Sequence, residues 1–99
     1  MNIEILDEAE NDLIEGFYFY EAQQSDLGTY FLTNLYTDIE SLRIHGGIHR
    51  KVYKDYHRLL SRRFPFAVFY KVREDTVSVY AVLDCRRDPA WIRKQLRKR

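Results

Sequence analysis

FAVFYKVREDTVSVYAVL, residues 66–83, decides the architecture of this chain. Two runs rich in Val, Phe and Tyr, residues 66–72 and 76–83, flank a short polar connection, REDT, as two antiparallel strands would. On the first run Phe66, Val68, Tyr70 and Val72 fall on one face, and Ala67 and Phe69 on the other. A strand that is apolar on both faces belongs at the centre of a sheet. Just upstream, YHRLL at 56–60 also has strand composition, and the tight corner RFP leads from it back to Phe66. Three consecutive strands in an antiparallel meander are expected.

On the N-terminal side, MNIEIL alternates Ile3 and Ile5 with polar neighbours and predicts a short edge or terminal strand. From Asp7 the period becomes helical. Ala9, Leu13, Phe17 and Tyr20 form one stripe, with Glu8, Asp12, Glu15 and Glu21 outside it, which predicts a helix over about 7–23. QQSDLG breaks that pattern, and Ser25 and Asp26 are good N-caps for a second stripe of Leu27, Phe31, Leu35, Ile39 and Leu42 ending near Gly46-Gly47. A connection this short implies an antiparallel helical hairpin. On the C-terminal side, Asp88-Pro89 is a helix start, with Asp as cap and Pro at the first helical position, and a helix over 89–97 follows. Arg97, Lys98 and Arg99 then sit at the negative end of its dipole. The expected order is β-α-α-β-β-β-α, an α+β fold in a single domain spanning residues 1–99.

Ninety-nine residues support one core. A lone Cys85 permits no internal disulfide, and no N-terminal run resembles a signal peptide, so a soluble cytoplasmic protein without a membrane span is expected. The net charge of +1 hides a division: residues 1–45 carry ten acids and one base, a balance of −9, and residues 46–99 carry fifteen bases and five acids, a balance of +10. The second half is suited to meeting anions.

The order of elements, together with YHRLLSRRFPFAVFYKVREDTVSVYAVLDCRRDPAWI, resembles the RelE/ParE superfamily of bacterial toxins from type II toxin–antitoxin systems. The likeness is carried by Tyr56 and Arg58 on the first meander strand, the RRFPF corner, the Tyr70 strand and RRDPAW after the last strand. AENDLIEGFYFY is similar to the first helix of that family. The resemblance implies a helical hairpin packed on a small twisted antiparallel sheet, and a cognate antitoxin wrapped over it. It also implies one of two targets, since members divide chiefly between ribosome-dependent cleavage of messenger RNA and poisoning of DNA gyrase.

Metal-free RNA cleavage needs a base for the 2′-hydroxyl, cations for the developing charge and an acid for the leaving oxygen. Arg58 and Arg86 or Arg87 supply the cations. Nuclease members commonly place a His or Tyr at or beyond the end of the last strand, where this chain has Asp84-Cys85-Arg86, and its terminal helix holds Trp91 but neither His nor Tyr. His57 stands beside Arg58, but strand alternation turns it to the opposite face. Asp84 among arginines is driven to its charged form and reads as an ion pair at the strand end. Cys85 reads as a small apolar residue. His45 and His49 are four apart, but Gly46-Gly47 between them argues for a polar loop rather than a metal-binding helix.

No cofactor and no metal are therefore expected. The expectation is a ParE-like toxin that binds DNA gyrase through Arg58, Arg86, Arg87, Arg93 and Lys94, with growth inhibition and plasmid stabilisation as its setting. The alternatives are a ribosome-dependent mRNA interferase using Arg58, Arg86 and His57, with the ribosome and messenger RNA as partners, and a small basic nucleic-acid-binding module. Ile14, Tyr18 and Tyr36 fall off the core stripes of their helices and are the expected antitoxin-binding residues. A homodimer or a toxin–antitoxin hetero-oligomer is compatible with these features.

Overall fold

The computed structural model describes residues 1–99. Its elements are β1 (Asn2–Ile5), α1 (Asp7–Glu21), α2 (Leu27–Glu40), α3 (Leu42–His45), β2 (Lys51–Tyr53), β3 (Tyr56–Leu60), β4 (Phe66–Arg73), β5 (Thr76–Asp84) and α4 (Pro89–Lys98). The strands form one sheet in the order β1-β5-β4-β3-β2, so the doubly apolar β4 lies at its centre, as its pattern requires.

Three features depart from the sequence expectation. The sheet has a fifth strand, β2, which pairs antiparallel with β3 as an edge. Three residues with irregular pairing are too few for alternation to be read, and the turn that follows puts Lys54 in the left-handed region at φ 50°. The sheet is also mixed: β1 runs parallel to β5, with Ile3 opposite Val77 and Ile5 opposite Val79. Thirdly, the second helical stripe is broken at Ser41, whose hydroxyl donates to the Asp38 carbonyl at 2.6 Å, and α3 continues it for one turn.

The joint between α1 and α2 also differs. Asp26 occupies the N-cap position but takes φ 71° and makes no side-chain cap. Glu21 caps instead: its carboxylate accepts from the amides of Asp26 at 3.0 Å and Gly28 at 2.9 Å. The same side chain ends one helix and begins the next. The two helices then approach so closely that a Cβ on Gly28 would lie 2.6 Å from the Phe17 carbonyl oxygen.

Two cores sit on the two faces of the sheet. Toward the hairpin, Ala9, Leu13, Phe31, Leu35 and Ile39 pack on Val68, Tyr70, Val77, Val79 and Val82. Each fully buried Leu, Ile or Phe of this layer contributes about 1.5–3 kcal/mol. On the other face Leu96, Trp91 and Ile92 of α4 cover Tyr56, Ala67, Phe69, Ala81 and Leu83. The register makes this partition possible. Phe69 pairs with Ala81 and Tyr70 with Val79, leaving Tyr80 as an extra residue, and this bulge turns both Tyr80 and Ala81 toward α4.

Candidate functional site

The site is the end of the sheet where β3 leaves, β4 begins and β5 ends. Leu60 pairs with Ala67, Ala67 with Leu83, and Phe66 with Asp84, so the β3–β4 corner and the β5–α4 turn lie side by side. The Cys85 amide donates to the Pro65 carbonyl at 2.9 Å, and the Ser61 amide to that of Phe66 at 2.9 Å. The corner is anchored from below: the Phe64 ring packs on Tyr20, Tyr30 and Phe31, and Phe66 on Tyr20 and Phe31. Two short segments carrying Arg62, Arg63, Arg86 and Arg87 are thus held at one end of a rigid sheet.

Within this end each arginine has a different environment. The Arg86 guanidinium grips Asp84 through Nε at 3.0 Å and a terminal nitrogen at 2.7 Å, while its amide donates to the same carboxylate at 2.9 Å. The Arg86 hydrogen bond holds the Asp84 carboxyl below its usual range against an opposing effect of burial. The ion pair expected at the strand end is therefore present. Arg87 lies over the Trp91 ring at 3.8 Å, which spends its charge partly on an aromatic face. Arg93 and Lys94 are exposed on α4, and Arg58 is exposed on β3. Arg58 pairs with Phe69, two positions inward from the Leu60 pairing, so it stands back from the sheet end that carries Arg86 and Arg87.

α4 is fixed under this end by its own chemistry. The Asp88 carboxylate accepts from the Ala90 amide at 2.8 Å, as the Asp-Pro signal predicts. The Tyr56 hydroxyl donates to the Leu96 carbonyl at 3.2 Å. The Arg99 guanidinium reaches back to Asp12 of α1 and donates to the Tyr80 carbonyl at 3.2 Å.

Of the residues expected for a nuclease, His57 is placed elsewhere. It is buried on the hairpin face, stacks on Tyr70 with centroids 5.1 Å apart, and donates from Nδ1 to the His49 carbonyl at 2.7 Å. Tyr70 in turn donates to the Gly46 carbonyl at 2.8 Å, and burial pushes its phenol up to about 12. His57 is a core residue that ties the α3–β2 loop to the sheet. At the sheet end, Tyr20 comes within range of the charges of Arg86 and Asp84, and burial is the largest effect raising its phenol. Tyr20 reads from the sequence only as a core position, because its proximity to Asp84 arises from the hairpin's docking. Arg62 and Arg63 read from the sequence only as part of a corner; the pairing of β3 with β4 and of β4 with β5 puts that corner at the same end of the sheet as Arg86.

Ile14, Tyr18 and Tyr36 are all exposed on the outer side of the hairpin, and the charge of Glu10 on α1 bears on the Tyr36 phenol of α2. All three stand on the helical layer. No helix is long and apolar enough to cross a membrane.

No family model matches the sequence, and no curated protein matches it either. Among solved structures, one described as the chromosomal ParDE TA system from P. aeruginosa superposes with a TM-score of 0.76 at 15% identity, covering 83% of this chain and 92% of that one. The chain shares its fold with that ParDE structure, and the fold is the α+β arrangement that the sequence resemblance implies.

Proposed function

We propose that this protein is the toxin of a bacterial type II toxin–antitoxin pair, that it is ParE-like, and that it acts by binding DNA gyrase rather than by cutting RNA. The observation that carries the toxin reading is the fold shared with a ParDE system over 83% of the chain. A cognate antitoxin is the partner this reading implies, with Ile14, Tyr18 and Tyr36 as its candidate contacts.

Binding is favoured over cleavage by the chemistry of the sheet end. General acid–base catalysis needs groups that titrate near the working pH. Asp84 is held below its usual range and Tyr20 above its own, and His57 is buried in the core. The arginines remain, and they are suited to an anionic surface such as gyrase or gyrase held on DNA. Arg58, Arg87, Arg93 and Lys94 are the candidate contacts, with Arg86 committed largely to Asp84.

The test is expression without a partner, followed by a supercoiling assay with the purified protein. Growth arrest with signs of DNA damage, inhibited supercoiling, and intact messenger RNA in a translating extract are expected. Codon-specific cuts in ribosome-bound message would replace gyrase with the interferase reading. Unimpaired growth at full expression would remove the toxin reading itself.

A further inference from the structure

The face of the sheet opposite the hairpin is covered by α4 only in part, over Phe69, Ala81 and Leu83. Toward the β4–β5 turn a concavity of about 360 Å³ opens on that face, lined by Lys51, Asp55, Lys71, Arg73, Ser78 and Tyr80. Lys71 pairs with Ser78 and Arg73 with Thr76, whereas Arg86 and Arg87 follow the pair of Phe66 with Asp84. The concavity and the basic sheet end therefore stand at opposite ends of the eight-residue β4, roughly 20 Å apart.

Lys71 is the fixed point of this cup. Its ammonium stands 4.6 Å from the centroid of the Tyr56 ring and 4.8 Å from that of Tyr80, in the corner between two rings inclined at 86°. Tyr56 is itself held by the bond from its hydroxyl to the Leu96 carbonyl. The ring faces attract the ammonium but do not cancel its charge. Lys51 and Arg73 line the same cup, and none of the three cations takes part in a salt bridge. Asp55 is the one acid in the lining, so the cup is two charges positive. Glu74 and Asp75 lie in the adjoining turn, outside the lining, and Asp75 stands 4.0 Å from the N-terminal ammonium. Lys71 is half-buried, and with no carboxylate meeting it the counter-charge must come from solution. Ser78 and Tyr80 add hydroxyl donors at the wall.

We propose that this cup is a binding site for a dianionic phosphate group, either inorganic phosphate or the terminal phosphate of a small molecule. Such a group carries close to two negative charges at neutral pH and presents three acceptor oxygens, which match the excess charge of the cup and its ammonium, guanidinium and hydroxyl donors. A phosphodiester strand fits less well. Each of its phosphates brings a single charge, and the Tyr56 and Tyr80 faces are already taken by Lys71, so bases find no ring to stack on. The inference rests on this cup alone and does not depend on the toxin reading.

The test is a titration of the intact, isotope-labelled protein with inorganic phosphate, with ribose 5-phosphate and with ribose, followed through its amide resonances. Saturable shifts at Lys71, Arg73, Ser78 and Tyr80 are expected with the two phosphates and none with ribose. Equal affinity for the two would identify inorganic phosphate as the source, and tighter binding of ribose 5-phosphate a small molecule that carries it; both support the site. Lys71→Met, which keeps an apolar stem between the rings, should weaken binding about ten-fold or more. Arg73→Gln, at an exposed position, should weaken it as well and gives the reading if Lys71→Met lowers the melting temperature. Asp55→Asn should tighten it, and the pair Arg62→Gln, Arg63→Gln, at the far end of the sheet, should leave it unchanged. Absence of saturable shifts at millimolar phosphate, shifts that gather at Arg86 and Arg87 instead, or indifference to both Lys71→Met and Arg73→Gln overturns the proposal. Tighter binding of a single-stranded oligonucleotide without a terminal phosphate, or of a phosphoserine peptide, overturns it equally by making the cup a macromolecular contact. Each readout is binding of a small anion, so the outcome is separable from growth arrest.

Discussion

Asp12 and Arg99, eighty-seven residues apart, form a two-pronged ion pair in which both side chains are only 10% exposed. The same carboxylate accepts from the Val82 amide at 2.9 Å. β1 leaves the sheet once Leu6 has donated to the Val79 carbonyl, and on that side the next stretch of β5 has no strand beside it. Asp12 stands in for the missing strand and at the same time pins the end of α4, so hairpin, sheet and terminal helix meet at one side chain.

Asp12→Ala should therefore be among the more damaging substitutions outside the apolar core. It leaves the buried guanidinium with only the exposed Glu8 carboxylate and the Tyr80 carbonyl, and a strand amide without its acceptor, at a cost of about 3–5 kcal/mol. Denaturant unfolding of Asp12→Ala and Arg99→Met, each alone and combined, would check this. The double variant should be less damaged than Asp12→Ala alone, because no charge is left unpaired.

Asp84→Asn should loosen Arg86 at small cost to stability, since the guanidinium faces solvent. The folded carboxyl titrates below its ordinary value of 3.8, so its contribution is fully present above that pH and is lost as pH falls through the lower folded value. The variant should show a shallower loss of stability in that acidic window. A matching acid limb in wild type and variant would mean that the pair contributes nothing there. If the freed Arg86 serves target binding, inhibition should strengthen in the same variant.

His49 titrates below its ordinary value of 6.5, first because it is partly buried and then because His45 and His57 lie near. The unfolded chain takes up this proton more readily, so the contribution to stability is present above 6.5 and is lost as pH falls through the folded value. Stability should decline as pH falls below the ordinary value of 6.5, and His49→Gln should flatten that limb. Melting temperatures across the range give the answer, well separated from the Asp84 window.

Gly28→Ala should destabilise the hairpin by about 1–3 kcal/mol, because the added methyl meets the Phe17 backbone carbonyl, which cannot rotate away. Gly47→Ala, where a Cβ meets nothing within 4 Å, is the matched control and should be near neutral. Equal effects at the two positions would mean that close approach is not what limits the α1–α2 crossing.

Much of this architecture was legible because its signals are local. The stripes of α1 and α2, the two-faced apolar run of β4 and the Asp88-Pro89 start of α4 each declare themselves within a few residues, where periodicity and capping act. β2 was not legible, since three residues carry no period. The capping of α2 was misread because Asp26 has the right chemistry in the right place, whereas the side chain that performs the task, Glu21, belongs to the preceding helix. The candidate site shows the same division. Asp84 as an ion-paired strand end and His57 on the face opposite Arg58 follow from charge proximity and strand alternation.

Local residue order settles the set of elements, their apolar faces and the split of charge between an acidic first half and a basic second half. Pairing decided the rest. The antiparallel registers brought the turn that carries Arg62 and Arg63 and the turn that carries Arg86 and Arg87, more than twenty residues apart, to one end of the sheet. The bulge at Tyr80 sorted β5 between two cores, and the fold of the α3–β2 loop over the sheet edge left Ile48 and Leu60 in water between unpaired arginines. Periodicity acts along the chain and can be read from it, whereas the meeting of distant side chains is a product of register and packing, which no single segment contains.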